Sequence, residues 1–153
     1  NFTPAIVAVL AGALLIAINP QALIMKSRDS KRLQDMEALV KALNLALADS
    51  EITLAATAAD RDSASGTQAV DGTGWVSFTI PAGKIGLSKF IPTLPVDPLN
   101  SAANVYSYAS TIDGFELNAV LEHADNTTKM GVDGGNDPAR YEVGTALTIM
   151  SAE

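Results

Sequence analysis

The sequence predicts an α+β protein in which one long N-terminal helix packs on a small antiparallel β-sheet head. Three observations lead to this prediction. Residues 1–25 contain no charged side chain, whereas five of the next seven residues are charged. An apolar stripe with helical spacing comes next, and strand-like segments begin only after it. The 153 residues suffice for one domain with its own core plus one extended element.

The first 25 residues predict an apolar helix. Pro4 fits the first turn of a helix, with Thr3 as its N-cap. A helix over residues 4–25 would be roughly 33 Å long, close to the thickness of a bilayer core. A secretory signal peptide would instead begin with basic residues and end at a cleavage site. A buried core helix is the other alternative, although so small a protein could hardly surround a helix that is apolar on every side.

Pro20 interrupts this apolar segment. Proline removes a backbone donor and clashes with the preceding turn, and it disfavours helical angles at the residue before it, Asn19. We therefore expect a kink at Asn19 and Pro20.

Residues 26–50 predict an amphipathic continuation of the same helix, running in total over about residues 4–49. Glu37 and Lys41 are four residues apart, in the order that favours a helical ion pair. Apolar residues recur at spacings of three and four, which places one stripe against a globular head formed by residues 51–153. The stripe consists of Leu33, Met36, Val40, Leu43 and Leu47.

The head reads as a succession of short strands and loops. Asp113-Gly114 is a strong hairpin signal between two strand-like segments. Three prolines within residues 91–100 predict a rigid extended connector. The predicted strands are 75–80, 105–110 and 115–122, the predicted loops are 60–74 and 124–140, and 141–150 is predicted as a strand or an apolar tail.

Composition excludes several classes of function. The chain has no cysteine and a single histidine, His123, which rules out disulfides, thiolate metal sites and mechanisms that need two histidines. Residues 50–153 are strongly acidic, which argues against nucleic acid as a partner. Because phosphate-binding loops and nucleophile motifs are also missing from the sequence, we predict that the protein is not an enzyme.

Two polar segments are candidate sites. Asp133, Asn136 and Asp137 place three oxygen-bearing side chains within five residues, so they are candidate calcium ligands, although a simple polar turn is the alternative. No cofactor other than this possible calcium ion is predicted. Asn126-Thr127-Thr128 is a glycosylation sequon, which predicts a surface position for Asn126.

Several segments together resemble the type IV pilins and type II secretion pseudopilins. The resemblance covers nearly the whole chain, and Pro-x-Asp-Pro-x-Asn is its most specific element. The chain departs from the family in lacking a glutamate early in the helix, since its first acidic residue is Asp29. The matching segments are Phe2-Thr3 followed by the apolar residues 5–18, Pro20, Arg28-Asp29-Ser30-Lys31-Arg32-Leu33 and Leu94-Pro95-Val96-Asp97-Pro98-Leu99-Asn100.

The resemblance implies a structural major subunit of a type IV pilus-like extracellular filament. The implied partners are other copies of the chain, the membrane before assembly, the inner-membrane pilus assembly machinery and prepilin peptidase. A type II secretion pseudopilin and a monomeric, membrane-tethered extracytoplasmic binding domain remain alternatives. The residues expected to pack in the filament core are Phe2, Val7, Leu10, Gly12, Leu14, Leu15, Ile16 and Ile18.

Overall fold

The structure is a computed structural model that describes residues 6–9 and 19–152. Residues 6–9 are helical. Of the expected filament-core residues, Val7 belongs to this short described stretch and is exposed. The others lie outside the described residues; they are Phe2, Leu10, Gly12, Leu14, Leu15, Ile16 and Ile18.

The principal helix, α1, spans Pro20–Ala48. Asn19 precedes it in the left-handed region, with φ 43°, and its side-chain oxygen accepts a hydrogen bond from the amide of Ala22 at 3.4 Å. Pro20 then occupies the first turn, where its missing N–H leaves no donor unsatisfied. In the described part of the chain, the place where we expected a kink is therefore the start of a helix.

Within residues 6–9 and 19–152, no helix is both long enough and apolar enough to cross a membrane. Most of the predicted apolar half, residues 1–25, falls outside these ranges.

The head contains a four-stranded antiparallel sheet whose strands lie side by side in the order in which they occur along the chain. The predicted hairpin is confirmed, although its strands are shorter than predicted. A two-residue strand, β1, falls inside the predicted loop 60–74, and the last apolar segment supplies β4. The strands are β1 (Arg61–Asp62), β2 (Ser107–Ser110), β3 (Phe115–Ala119) and β4 (Tyr141–Gly144).

The predicted strand at 75–80 was wrong. This segment joins the rest of the structure through one isolated bridge, in which Thr53 and Thr79 exchange backbone hydrogen bonds of 2.9 Å. In a half-exposed strand, neighbouring side chains alternate between a buried and an exposed face. Trp75 and Val76 are neighbours in sequence, yet both are buried. The indole N–H of Trp75 donates to the carbonyl of Pro95 at 3.0 Å, which ties the segment to the proline-rich connector.

The segment predicted as a polar loop, 124–140, contains two short helical turns. α2 spans Ala124–Thr127, and a 3₁₀ helix follows at Thr128–Gly131. His123 caps α2, since its Nδ1 accepts a hydrogen bond from the amide of Asp125 at 3.1 Å. A second 3₁₀ helix, Gly86–Lys89, precedes the proline-rich connector.

The core lies between α1 and one face of the sheet. Met36, Leu39 and Leu43 of α1 are buried together with Phe115 and Leu117 of β3. Because side chains alternate along a strand, Glu116 and Asn118 of β3 point to the opposite face. This second face is covered by the C-terminal segment, where the amides of Ile149 and Met150 both donate to Glu116.

Candidate functional site at the helix–head junction

A network of charged side chains joins α1 to the head, and Arg32 is its centre. Arg32 is fully buried, and its guanidinium donates two hydrogen bonds to Asp97, from Nε to Oδ2 at 2.6 Å and from Nη2 to Oδ1 at 3.0 Å. Burial alone would lower the pKa of Arg32, but its hydrogen bonds to Asp97 and Glu122 raise that pKa, so the side chain stays charged. Asp97 is held in turn by the backbone amides of Leu99 and Asn100.

Asp29, three residues before Arg32, ties the helix to the end of the hairpin. Its carboxylate accepts hydrogen bonds from the amides of Glu122 and His123 at 2.9 and 2.8 Å, and from Nη1 of Arg32 at 3.0 Å. The side-chain amide of Asn126 supplies a fourth bond at 3.2 Å. A fully buried carboxylate is tolerated here because each of its oxygens has two donors.

Glu122 completes the network just beyond β3. It accepts two hydrogen bonds of 2.7 Å from Arg28 and a third from Arg32. The hydrogen bonds from Arg28, followed by those from Arg32, lower the pKa of Glu122 from its ordinary value of 4.5 to about 2. Glu122 therefore stays ionised near neutral pH, and its bonds to Arg28 and Arg32 help to fix the position at which the helix meets the head.

From sequence, Arg28, Asp29 and Arg32 were recognised as part of a motif without predicted contacts. Asp97 and Glu122 were not predicted as their partners. The available signal was an acid and a base three residues apart on a helix, which was too weak to identify partners 65 and 90 residues away in the chain. The buried ion pairs of Arg32 and the backbone hydrogen bonds of Asp29 join the helix to the head at this point.

Exposure changes sharply along α1 at this network. Leu23 and Ile24, in the first turns of the helix, are both 55% exposed. From Asp29 onward, one face of the helix is buried against the head. The described helix therefore begins as an apolar rod that projects from the head and continues as a structural part of the head.

The three predicted calcium ligands are bound to the backbone around them. Asp133 accepts hydrogen bonds from the amides of Gly135 and Glu142 at 2.9 and 2.8 Å. The Asn136 side chain donates to the carbonyl of Met150, and Asp137 accepts from the amide of Ala139. Among residues 6–9 and 19–152, no group of three or more histidine, aspartate or glutamate side chains is arranged to hold a metal ion. Calcium binding therefore stays a prediction from sequence.

A pair of buried carboxyl groups, Glu116 and Glu142, lies next to this loop on the sheet face away from α1. Burial, together with the neighbouring Glu116, raises the pKa of Glu142. Negative charge on Glu142 is disfavoured here because the group is buried beside a second carboxyl group. The pair anchors the end of the chain, since Glu116 accepts from the amides of Ile149 and Met150.

Asn126 does not occupy the surface position that its sequon predicted. Its side chain is only 8% exposed, its amide nitrogen donates to Asp29, and its oxygen accepts from Lys129 at 2.8 Å. In the folded head the nitrogen that would carry a glycan is therefore enclosed and already bonded.

A small polar pocket of about 270 Å³ lies on the far side of the head. Met150 and Ser151 are among the residues that line it. Its other polar side chains come from Asp60, Arg61, Asp62, Ser107, Asn118 and Arg140. The guanidinium of Arg61 is held by the carbonyl of Gly74 at 2.8 Å.

Comparison with known proteins adds no relative: no family model, curated protein or solved structure matches the chain.

Proposed function

We propose that this chain is the structural major subunit of a type IV pilus-like extracellular filament. In this proposal the N-terminal helix is held in the membrane before assembly and is then shared among many copies of the chain. The pilus assembly machinery and prepilin peptidase are the proposed cellular partners.

The observation that carries the proposal is the change of exposure along α1. Leu23 and Ile24 expose more than half of their surface at the start of α1, and Ile6, Val7 and Val9 are likewise exposed. Residues 10–18 between these two groups are apolar in sequence. An apolar rod attached to a well-packed head must leave water by entering a bilayer or by packing against equivalent rods.

The contact between Arg32 and Asp97 gives further support. Two of the segments that carry the resemblance to pilins are far apart in sequence, the charged run 28–33 and the proline-rich run 94–100. Arg32 belongs to the first and Asp97 to the second, and the two form a buried ion pair. A shared structural role explains why both segments occur in one chain.

Energetics favour a shared rod over a rod left in water. At about 25 cal/mol per Å² of apolar surface, burying some twenty apolar side chains stabilises the assembled state by tens of kcal/mol relative to water. Transfer from lipid to a bundle of helices contributes far less, so close packing at small residues such as Gly12 must set the geometry. An interface of this kind repeats head to tail without closing, which produces a filament.

Electron microscopy of material sheared from cells that make the full chain tests the proposal. Long fibres with a regular subunit repeat are expected from the unsubstituted chain. Leu14→Arg should abolish the fibres, because a charge in the apolar rod must be desolvated on assembly. Leu14→Ile is the matched control and should retain them.

The fold of the head provides the internal check on these variants. Trp75 is the only tryptophan and is fully buried, so its fluorescence reports folding of the head in each variant. Fibres that persist after deletion of residues 1–25 would overturn the proposal.

A monomeric, membrane-tethered binding domain is the second candidate, and the polar pocket at Arg61, Asn118 and Arg140 is the observation that favours it. On this hypothesis, detergent-extracted protein stays monomeric at every concentration in light scattering. Concentration-dependent polymers would exclude it.

A further inference from the structure

A groove of about 550 Å³ lies between α1 and β4, which is an edge strand of the sheet. Its walls are apolar, and three charged side chains stand along it. The walls come from Leu33, Val40, Tyr141 and Val143, and the charged residues are Glu37, Lys41 and Lys129. We propose that this groove receives the β2–β3 turn, residues 111–114, of a second copy of the chain; the inference rests on the proposed filament function.

The turn is shaped as a rigid apolar knob. Ile112 is 75% exposed at its tip. The turn does not need this side chain, because the hydroxyl of Thr111 accepts hydrogen bonds from the amides of Asp113 and Gly114 at 3.2 Å each. Gly114 packs so closely that a Cβ there would lie 2.9 Å from Oγ1 of Thr145, so the turn is held in place. Ile112 is therefore free to make a contact outside its own copy.

The charges of the knob and the groove are complementary. Two lysines and one glutamate line the groove, a net positive site on a chain whose net charge is −7. Asp113 follows Ile112, and among residues 6–9 and 19–152 its carboxylate has no ion-pair partner; the same holds for Lys41. With Ile112 seated on Val40 and Tyr141, Asp113 comes within reach of Lys41. Such a pair adds selectivity for one orientation.

The positions of knob and groove also fit an open polymer. The turn lies at the end of the hairpin away from Glu122, whose amide donates to Asp29 near the start of α1. The groove lies beside the middle of α1 and the other end of the sheet, where Tyr141 pairs with Ala119. A knob and a groove at different heights on one molecule join successive copies with an axial shift, and this heterologous contact does not close on itself.

Disulfide trapping in assembled fibres tests this contact, and the lack of native cysteine makes the result unambiguous. The full chain carrying Ile112→Cys and Val40→Cys is assembled, oxidised with copper–phenanthroline and run on a denaturing gel. A ladder of covalent dimers, trimers and larger species is expected, because a disulfide forms only when two Cα atoms approach within about 7 Å. Each single-cysteine variant should remain monomeric on the gel.

The matched control moves one cysteine off the groove. Ala38 is exposed on α1 and does not line the groove. Ile112→Cys with Ala38→Cys should therefore give no ladder. Fibres that form normally but yield no ladder from the Ile112–Val40 pair would overturn the docking inference and leave the filament function standing. If the unsubstituted chain forms no fibres, both fail.

Charge reversal supplies an independent measurement without new covalent chemistry. Lys41→Glu alone and Asp113→Lys alone should each raise the critical concentration for fibre formation by about threefold to fivefold, as expected for an exposed ion pair that is lost. The double variant should return it close to the original value. Additive losses in the double variant would contradict a direct Lys41–Asp113 contact.

Discussion

Arg32 and Asp97 lie 65 residues apart in sequence and meet in a buried, two-bond ion pair. The pair connects the middle of the long helix to the proline-rich connector. Because both side chains are removed from water, neither charge tolerates the loss of the other.

Replacing Arg32 by Ala should destabilise the head by about 3–5 kcal/mol, since Asp97 and Asp29 would remain buried without their cation. Lys26→Ala is the matched control: it removes an exposed ion pair with Asp125 and should cost at most about 1 kcal/mol. Urea unfolding of the detergent-solubilised full chain, followed by Trp75 fluorescence, measures both. Equal losses in the two variants would contradict the central role given to Arg32.

Acid should destabilise the head as the pH falls from about 4.5 towards 2. The folded-state pKa of Glu122 is lowered to about 2, and so is that of Glu51, which accepts from the amide of Ile85 and from Lys89. A carboxyl group with a lowered folded pKa contributes stability above its unfolded pKa and loses that contribution as it becomes protonated. Urea midpoints measured across this range should therefore decline, and Glu122→Gln should flatten the decline. An unchanged acid slope in Glu122→Gln would argue against this assignment.

Glu142→Gln should stabilise the head at pH 7 by about 1 kcal/mol. The folded pKa of Glu142 is raised, so its contribution to stability is complete below the unfolded pKa and is lost as pH rises through the folded value. The amide keeps an acceptor for Asp137 and gains a donor for Glu116 without a buried charge. Thermal unfolding at pH 5 and pH 7 should show the larger gain at pH 7, whereas a loss at both values would contradict a destabilising effect of the ionised Glu142 carboxylate.

Gly135→Ala should destabilise the head by about 1–3 kcal/mol because the new methyl group overpacks the site. A Cβ on Gly135 would lie 2.0 Å from Oε2 of Glu142, inside a buried group. Gly131→Ala is the matched control, because a Cβ there meets nothing within 4 Å. Differential scanning calorimetry should separate the two variants, and similar melting temperatures would show that the 133–137 loop yields easily.

Local signals were sufficient for the helix and the hairpin. The turn at Asp113-Gly114 is present as predicted. Of the predicted stripe, Met36 and Leu43 are buried, whereas Leu33, Val40 and Leu47 are only half-buried. The strand predicted at 75–80 was wrong because an alternating pattern forms a strand only where a neighbouring strand supplies a continuous row of backbone hydrogen bonds. Here a single bridge forms, at Thr79.

The candidate site was less accessible to sequence reasoning. Whether Asn126 is exposed depends on Asp29, 97 residues away, and the sequon contains nothing about that contact. Glu122 and Asp97 likewise acquire their roles only when the fold brings them to Arg32. The motif residues 28–32 could be recognised, but their partners are a property of tertiary structure.

In the proposed filament, the attachments of residues 28–32 would determine how each copy of the chain withstands force. These residues occupy little more than one turn, a rise of roughly 6 Å, and they hold Asp97, Glu122 and the amide of His123 at nearly the same height on the helix. Tension applied to α1 therefore loads all of these bonds in parallel shear, so they must rupture together rather than peel apart in turn. A fibre built from such subunits would stretch or slip between copies before a head is torn from its helix.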